Sequence, residues 1–318
     1  MITLTLLTLL AQAPPGFEPG SLPARWSTGG PRCMESPDWF IHEYNADFFV
    51  LRESGCSHYE KPFLYLIFGQ DRVLLLDTGA GKTELASLID RLIGQWSDRH
   101  ARPKPKLVVA HTHNHGDHKS RDGQFAGRPG IEVIPAEVSA IQKSFRITQW
   151  PTSPGQLDLG NRVLDVLGMP GHDTAAIVLY DRRTGILLTG DNIYPGRLYI
   201  RDWDTYARST QRLVDFADTH LVSHLLGNHI EQTATPFLEY PIGSIYQPQE
   251  HALELTRAHL LELNQELVKL KGQPARVALR DLTIYPYTPA GNAALRQTSI
   301  DTEKRQRKTQ YAQPAPER

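Results

Sequence analysis

Apolar positions change their period along the chain, and each change predicts an element. Residues 48–51, 63–68 and 73–76 are short β-rich runs separated by turn residues, and Asp77-Thr78-Gly79 ends the third. Leu85, Leu88, Ile89, Leu92, Ile93 and Trp96 then keep helical spacing, which predicts an amphipathic helix over 82–96. Further strands are predicted over 106–110, 131–134, 162–167, 175–180, 185–189 and 221–226, with a helix over 205–220. Leu253, Leu260, Leu263, Leu267 and Leu270 line one face of a helix over 249–271. Interleaved strands and helices of this kind predict a mixed α/β (α+β) chain, with sheets covered by helices.

The flanks read differently. An apolar run from Ile2 to Leu10 ends in Ala11-Gln12-Ala13, and residues 1–13 read as a signal peptide. The run is too short to span a bilayer and lacks a basic start, the first basic residue being Arg25. Residues 14–38 read as a linker, rich in Pro and Gly over its first part. The globular domain is placed at 39–297. From Thr298 the chain turns polar, and 298–318 reads as a disordered tail.

Composition narrows the chemistry. Against 34 Lys plus Arg stand 35 Asp plus Glu, a formal charge of -1 that gives no overall drive toward nucleic acid or anionic lipid. Two cysteines cannot build a four-thiolate zinc site. Cys33 and Cys56 pair only if the fold brings them together, and an oxidising compartment would permit it. The 13 histidines are the surplus.

Four of those histidines fall in one stretch. His111-Thr112-His113-Asn114-His115-Gly116-Asp117-His118 directly follows the apolar strand 106–110, so the cluster sits at that strand's carboxyl end. His113 and His115 are two apart and point the same way on an extended segment. Asp117 and His118 project differently and suit a second ion. Imidazole and carboxylate donors suit zinc, and also iron or manganese. Three later strands each end in further donors: His172 and Asp173 after 162–167, Asp191 after 185–189, and His229 after 221–226.

This pattern resembles the metallo-β-lactamase-fold hydrolase superfamily. The residues that carry the resemblance are Thr-His-x-His-x-Asp-His at 112–118, Pro-Gly-His at 170–172, Thr-Gly-Asp at 189–191 and Gly-x-His at 227–229, with Leu-Asp-Thr-Gly at 76–79. The resemblance implies a four-layer αββα sandwich. It implies that His113, His115 and His172 hold one metal, that Asp117, His118 and His229 hold a second, and that Asp191 bridges them. The implied cofactors are two zinc ions, with iron or manganese as alternatives. The implied activity is hydrolysis of a carbonyl ester, thioester, lactone or lactam by a metal-bridging hydroxide, and the implied partner is a small-molecule substrate. Asp117 would also orient the hydroxide and pass a proton to the leaving group. Asp77 would position the 113–118 loop, as His111 could from behind it.

Tyr194, three residues after Asp191, is expected to donate to a developing oxyanion, as in lactonase relatives. Arg197 and Arg201 could bind an acidic substrate group, and Tyr240 and Tyr246 could line the pocket. Departures from the family help to choose a branch. Lys119-Ser120-Arg121-Asp122-Gly123 replaces the usual paired glycines, and neither cysteine stands at a ligand position, which excludes the thiolate-ligand β-lactamases. Two readings compete with the hydrolase: an iron-dependent enzyme of the persulfide-dioxygenase type, and a metal-binding sensing module without catalysis. No nucleic acid and no membrane span are expected, and the leader points to a periplasmic or secreted location, with a cytoplasmic one as the alternative.

Overall fold

Alternate residues of the predicted strands enter two different cores, and this alternation builds the layers. The computed structural model describes residues 16–27 and 32–310. Its first sheet has the spatial order β1 (Trp39–Asn45), β2 (Phe48–Glu53), β3 (Phe63–Phe68), β4 (Arg72–Leu76), β5 (Lys106–Ala110), β6 (Ile131–Val133). The second runs from β7 (Gly155–Asp158) through β8 (Val163–Gly168), β9 (Ile177–Asp181) and β10 (Ile186–Gly190). A small third sheet centres on β11 (Arg197–Ile200), and β12 (His224–Gly227) and β13 (Glu254–Leu255) complete the second. β14 (Val277–Ala278) and β15 (Thr283–Pro286) complete the third.

On β3, Phe63, Tyr65 and Ile67 face a core between the sheets, where they meet Leu164, Val166, Ile177, Leu179, Ile186 and Leu188. Leu64, Leu66 and Phe68 face the other way, onto helix α1 (Ala86–His100). Val178, Tyr180, Leu187 and Leu225 likewise face away from the first sheet. Beyond the short α2 (Gly116–Lys119) and α3 (Val138–Phe145) come α4 (Trp203–Thr219) and α5 (Arg257–Lys269), which pack together over that outer face. The order helix, sheet, sheet, helix is the αββα sandwich. Each large apolar side chain buried this way contributes roughly 1.5–3 kcal/mol, so the alternation fixes which face turns inward.

Strand register decides where the polar residues emerge. β4 and β5 are parallel with Leu76 opposite Ala110, so Asp77 and His111 leave the first sheet side by side. β10 and β12 are parallel with Gly190 opposite Gly227, so Asp191 and Asn228-His229 leave the second sheet together. Ile177 N–H donates to Thr112 O at 2.8 Å and Phe63 N–H to Asn228 O at 2.8 Å, stitching the two edges together.

The same edge is braced by a buried ion pair. Arg121 places two guanidinium nitrogens on Glu53, at 2.7 and 3.1 Å, and Glu53 also accepts from Ser57 Oγ and the amides of Ala80 and Gly81. Both side chains are buried, so losing one partner would cost about 3–5 kcal/mol.

Several expectations need correction. α1 begins at Ala86 rather than 82, because Gln124 Oε1 accepts from the amides of Leu85 and Ala86 and caps it from another segment. The helix predicted over 249–271 starts only at Arg257, because Leu253 belongs to the core between the sheets and β13 pairs with β12. The described part of the expected linker is docked and includes a 3-10 turn at Cys33–Glu35: Trp26 packs edge-on against Phe63, and Ser21 N–H donates to Tyr44 O. Cys33 and Cys56 form a disulfide, with Cα atoms 5.2 Å apart.

The largest correction concerns the tail. Residues 298–310 are not disordered but lie in α6 (Pro289–Gln310). This helix docks by polar contacts rather than an apolar stripe, which is why composition misreads it. Gln306 Oε1 accepts from Ile245 N–H at 2.6 Å, Arg307 donates to Cys56 O at 3.1 Å, and the Ser299 backbone sits on Gly243. A Cβ at Gly243 would fall 2.3 Å from Ser299 O, so only glycine allows the approach. Residues 1–13, read as a signal peptide, lie outside the described residues, as do 311–318.

Candidate metal centre

The loop after β5 is held from behind by Asp77, which is buried and has a left-handed backbone (φ 69°). Its Oδ1 accepts from Thr112 N at 2.8 Å. Its Oδ2 accepts from Thr112 Oγ1 at 2.9 Å, His118 Nδ1 at 3.0 Å and Asn228 Nδ2 at 2.7 Å. One carboxylate thus ties the His-rich loop to the loop that carries His229.

These contacts fix which imidazole nitrogens carry protons. His172 Nδ1 donates to Tyr199 O at 2.7 Å and His229 Nδ1 to Glu60 O at 3.0 Å, since a carbonyl only accepts. The Thr112 hydroxyl gives its proton to Asp77, so it accepts from His113 Nδ1 at 3.1 Å. In the neutral imidazoles the Nε2 atoms of His113, His118, His172 and His229 carry the lone pairs, all aimed inward.

Two groups of donors result. The first brings together His113, His115, His172 and Asp191, and the second Asp117, His118, Asp191 and His229. Within each group the ligand atoms all lie within 4.8 Å of one another. In the first, His115 Nδ1 is 2.9 Å from His113 Nε2 and 3.1 Å from His172 Nε2. In the second, His229 Nε2 lies 3.4 Å from His118 Nε2 and 3.3 Å from Asp191 Oδ1. Asp191 Oδ2 stands 3.5–3.8 Å from the Nε2 atoms of His118, His172 and His113. Every expected ligand residue is therefore gathered at one edge, and Asp191 is common to both groups.

Neighbouring turns aim the remaining donors. Gly171 has φ 140° and lies against Tyr206, whose Cα would be 2.5 Å from a Cβ, so the turn that carries His172 requires glycine. Gly171 O accepts from the amides of Arg201 and Asp202, which seats that turn on the start of α4.

Electrostatics match a cation site. Burial holds the His113 and His172 imidazoles below their usual range, and His115 is pushed down to about 4 by burial, then His172 and Arg201. Burial alone would raise Asp191 and Asp117, but adjacent imidazoles hold both well below the carboxylate range. Burial opposes charge on His118 and His229 too, yet Asp117 and Asp191 pull them up. Asp191 Oδ1 is buried with no hydrogen-bond partner. Inward-facing imidazole nitrogens, ionised carboxylates and an orphaned buried carboxylate oxygen are the arrangement a metal cation would satisfy.

The site opens into a cavity of about 330 Å³ bordered by Tyr59, Glu60, Tyr199, Arg201, Asn292 and Arg296 among others. Residues 62–263 match the model of the Metallo-beta-lactamase superfamily. The chain belongs to the metallo-β-lactamase superfamily. It is a metallo-hydrolase of that superfamily rather than a non-catalytic module. It is 30% identical over 238 residues to "Acyl-coenzyme A thioesterase MBLAC2" of Bos taurus, covering 62% of this chain and 83% of that one. The Homo sapiens protein of the same name is 29% identical over the same shares. Among solved structures, "Metallo-beta-lactamase from Pontibacter korlensis" aligns at TM-score 0.47 with 15% identity, over 72% of this chain and 99% of that one.

Other residues of this superfamily member differ from expectation. Tyr194 lines the cavity, but its hydroxyl donates to Arg197 O and lies 3.2 Å from Glu231 Oε2. Its one proton is directed to Arg197 O rather than into the cavity. Arg197 is half of a buried network with Glu231 and Glu239, each at 2.8 Å, and is not available to substrate. Arg201 is exposed at the cavity and lies 5.0 Å over the Tyr287 ring. The Tyr240 hydroxyl accepts from Gln249 N–H, and Ile242 of the same loop reaches the main cavity instead. His111 bonds Asp122 and Ile134 O and stays outside both donor groups. Sequence reasoning missed Glu60, Tyr199 and α6, which no motif marks. Among the described residues, no helix is long and apolar enough to cross a membrane.

Proposed function

We propose that this chain is a dinuclear zinc thioesterase acting on acyl-coenzyme A or a similar acyl thioester. The observation that carries this reading is the pair of donor groups sharing Asp191, set in a chain similar to acyl-coenzyme A thioesterases. His113, His115, His172 and Asp191 would hold one ion, and Asp117, His118, His229 and Asp191 the other. All donors are nitrogen or oxygen, a set that suits zinc. Bound there, the ions would supply Lewis acidity toward a carbonyl and the activation of water.

The chain's own residues supply the rest. Asp77, Tyr199 O and Glu60 O fix the imidazole tautomers, so the donor atoms need no reorganisation. Asp117 borders the cavity, as Asp191 does, and its ionised carboxylate can orient water, take up its proton and pass it on. A thiolate is a good leaving group, so thioester cleavage asks little of a general acid. Exposed Arg201 supports an anionic substrate such as a coenzyme A thioester.

The test is metal quantification beside turnover of acyl-coenzyme A, simple esters, lactones and a β-lactam. The expected result is two zinc equivalents and thioester hydrolysis abolished by chelation. Bound iron with oxygen uptake on glutathione persulfide would assign the oxygenase chemistry instead. No metal, with activity indifferent to chelators, would sink the proposal.

We further propose that the protein acts in an oxidising compartment. The Cys33–Cys56 disulfide supports this, because such bonds persist where thiols are not kept reduced. Expression with the leader intact is expected to give exported protein whose intact mass lacks the first residues, through about Ala13. Full-length mass in the cytosolic fraction alone would reject it.

A further inference from the structure

The loop after His229 carries a tip that serves no packing role. Glu231 and Ile242, at its two ends, border the cavity. Between them the chain forms a short hairpin. Tyr240 N–H donates to Glu231 O and Thr233 N–H to Leu238 O, both at 2.8 Å, and Gln232 pairs antiparallel with Glu239. Leu238 N–H donates to Thr235 O at 3.3 Å, closing a turn with Pro236 second and Phe237 third. Phe237 has φ 64°, the left-handed backbone that a third turn position usually gives to glycine or asparagine. It is nevertheless 62% exposed, and Leu238 beside it is 54% exposed. Neither the turn nor the core gains from an aromatic side chain here, so the strain points to a role outside the fold.

The surface around the tip is cationic. Phe237 N–H donates to Arg280 O at 2.9 Å, and Arg276 reaches Glu239, two residues from Phe237, at 3.3 Å. The side chains of these arginines are 61% and 68% exposed, whereas the acids they meet, Glu239 and Asp281, are each only 13% exposed. Toward solvent the tip therefore shows two apolar side chains beside two guanidinium groups. So small a tip falls far short of a specific protein interface, which buries about 1,200–2,000 Å². A bilayer surface needs no complementary pocket: it takes Phe and Leu at the headgroup boundary and guanidinium groups on anionic headgroups. We propose that the Pro236-Phe237-Leu238 tip docks this protein on an anionic bilayer surface, with Phe237 and Leu238 inserted and Arg276 and Arg280 on the lipid phosphates. The chain's formal charge of -1 does not drive this docking; the local arginines do. The docking does not depend on the thioesterase reading.

The experiment is co-sedimentation of the full, metal-loaded chain with two kinds of vesicle. One is phosphatidylcholine alone, and the other is phosphatidylcholine mixed with phosphatidylglycerol. Thermal melting and light scattering of the free protein run in parallel. Wild-type protein is expected to bind the mixed vesicles about tenfold tighter than phosphatidylcholine alone, and added salt should weaken that preference. Phe237→Gly should weaken binding by about tenfold or more while melting at about the wild-type temperature, because glycine suits φ 64°. Leu238→Ser should weaken it in the same direction, and Arg276→Gln with Arg280→Gln should abolish the preference for phosphatidylglycerol. Val268→Ser removes an apolar side chain that is 64% exposed on α5 and should change nothing. Failure to sediment with the mixed vesicles, binding that ignores phosphatidylglycerol, or binding that survives in Phe237→Gly overturns the proposal. A dimer seen by light scattering and lost in Phe237→Gly would assign the tip to a second copy of this chain and overturn it equally.

Discussion

Asp77→Asn is expected to lower bound metal from two equivalents toward one and activity by about 10–100-fold, while the chain still folds. The change removes a charge and no volume, so its effect isolates hydrogen-bond polarity. Asp77 receives four donors, from Thr112 N, Thr112 Oγ1, His118 Nδ1 and Asn228 Nδ2. A backbone amide cannot reverse, so the new carboxamide oxygen must stay on Thr112 N. Its NH2 then faces His118 Nδ1, which must become an acceptor. The imidazole proton moves to His118 Nε2, the atom that points at Asp117 and Asp191, and the lone pair needed for a cation is lost. Asn228 Nδ2, a donor, meets a second donor and keeps only Phe63 O as partner. Metal analysis together with urea unfolding separates the outcomes. Two full equivalents in a folded Asp77→Asn protein would show that the tautomer of His118 is not set by Asp77. Asp77→Ala is the harsher control, because it strands buried donors at about 1–3 kcal/mol each.

This prediction rests on residues whose placement was legible in the chain. Asp77, His113–His118, His172, Asp191 and His229 each follow an apolar strand run, and parallel pairing of β4 with β5 and β10 with β12 carries those strand ends to one edge. Residues whose role depends on a side-chain direction were less legible. Tyr194 stands at the expected spacing from Asp191, yet the local turn delivers its hydroxyl to Arg197 O. Arg197 was a plausible anion binder until Glu231 and Glu239, from a different loop, enclosed it. The disulfide depended on a Cα separation that no spacing predicts. α6 was invisible because its docking contacts include side chain to backbone hydrogen bonds, such as Gln306 with Ile245, which leave no apolar period. The ligands follow from local pattern plus sheet register, whereas the cavity wall follows from long-range docking of polar segments.

The shared position of Asp191 carries the largest expected loss. Asp191→Ala is expected to reduce activity by at least ~10³-fold, more than the ~10–100-fold typical of a residue that only orients a ligand. Its Oδ2 stands 3.5 Å from His118 Nε2 and 3.7 Å from His172 Nε2, and its Oδ1 stands 3.3 Å from His229 Nε2. No other carboxylate among the described residues belongs to both donor groups. Without it the first group keeps three neutral imidazoles, a sufficient set for one ion. The second keeps Asp117, His118 and His229, but loses one of its two anions. The second ion should therefore leave first, and titration with zinc should give one tight equivalent and one weak or absent. Asp191→Asn should behave in the same way, since it keeps the volume and removes the charge that two cations would share. Two tight equivalents in Asp191→Ala would refute a bridging role, and loss of both together would place Asp191 with the first ion as strongly as with the second.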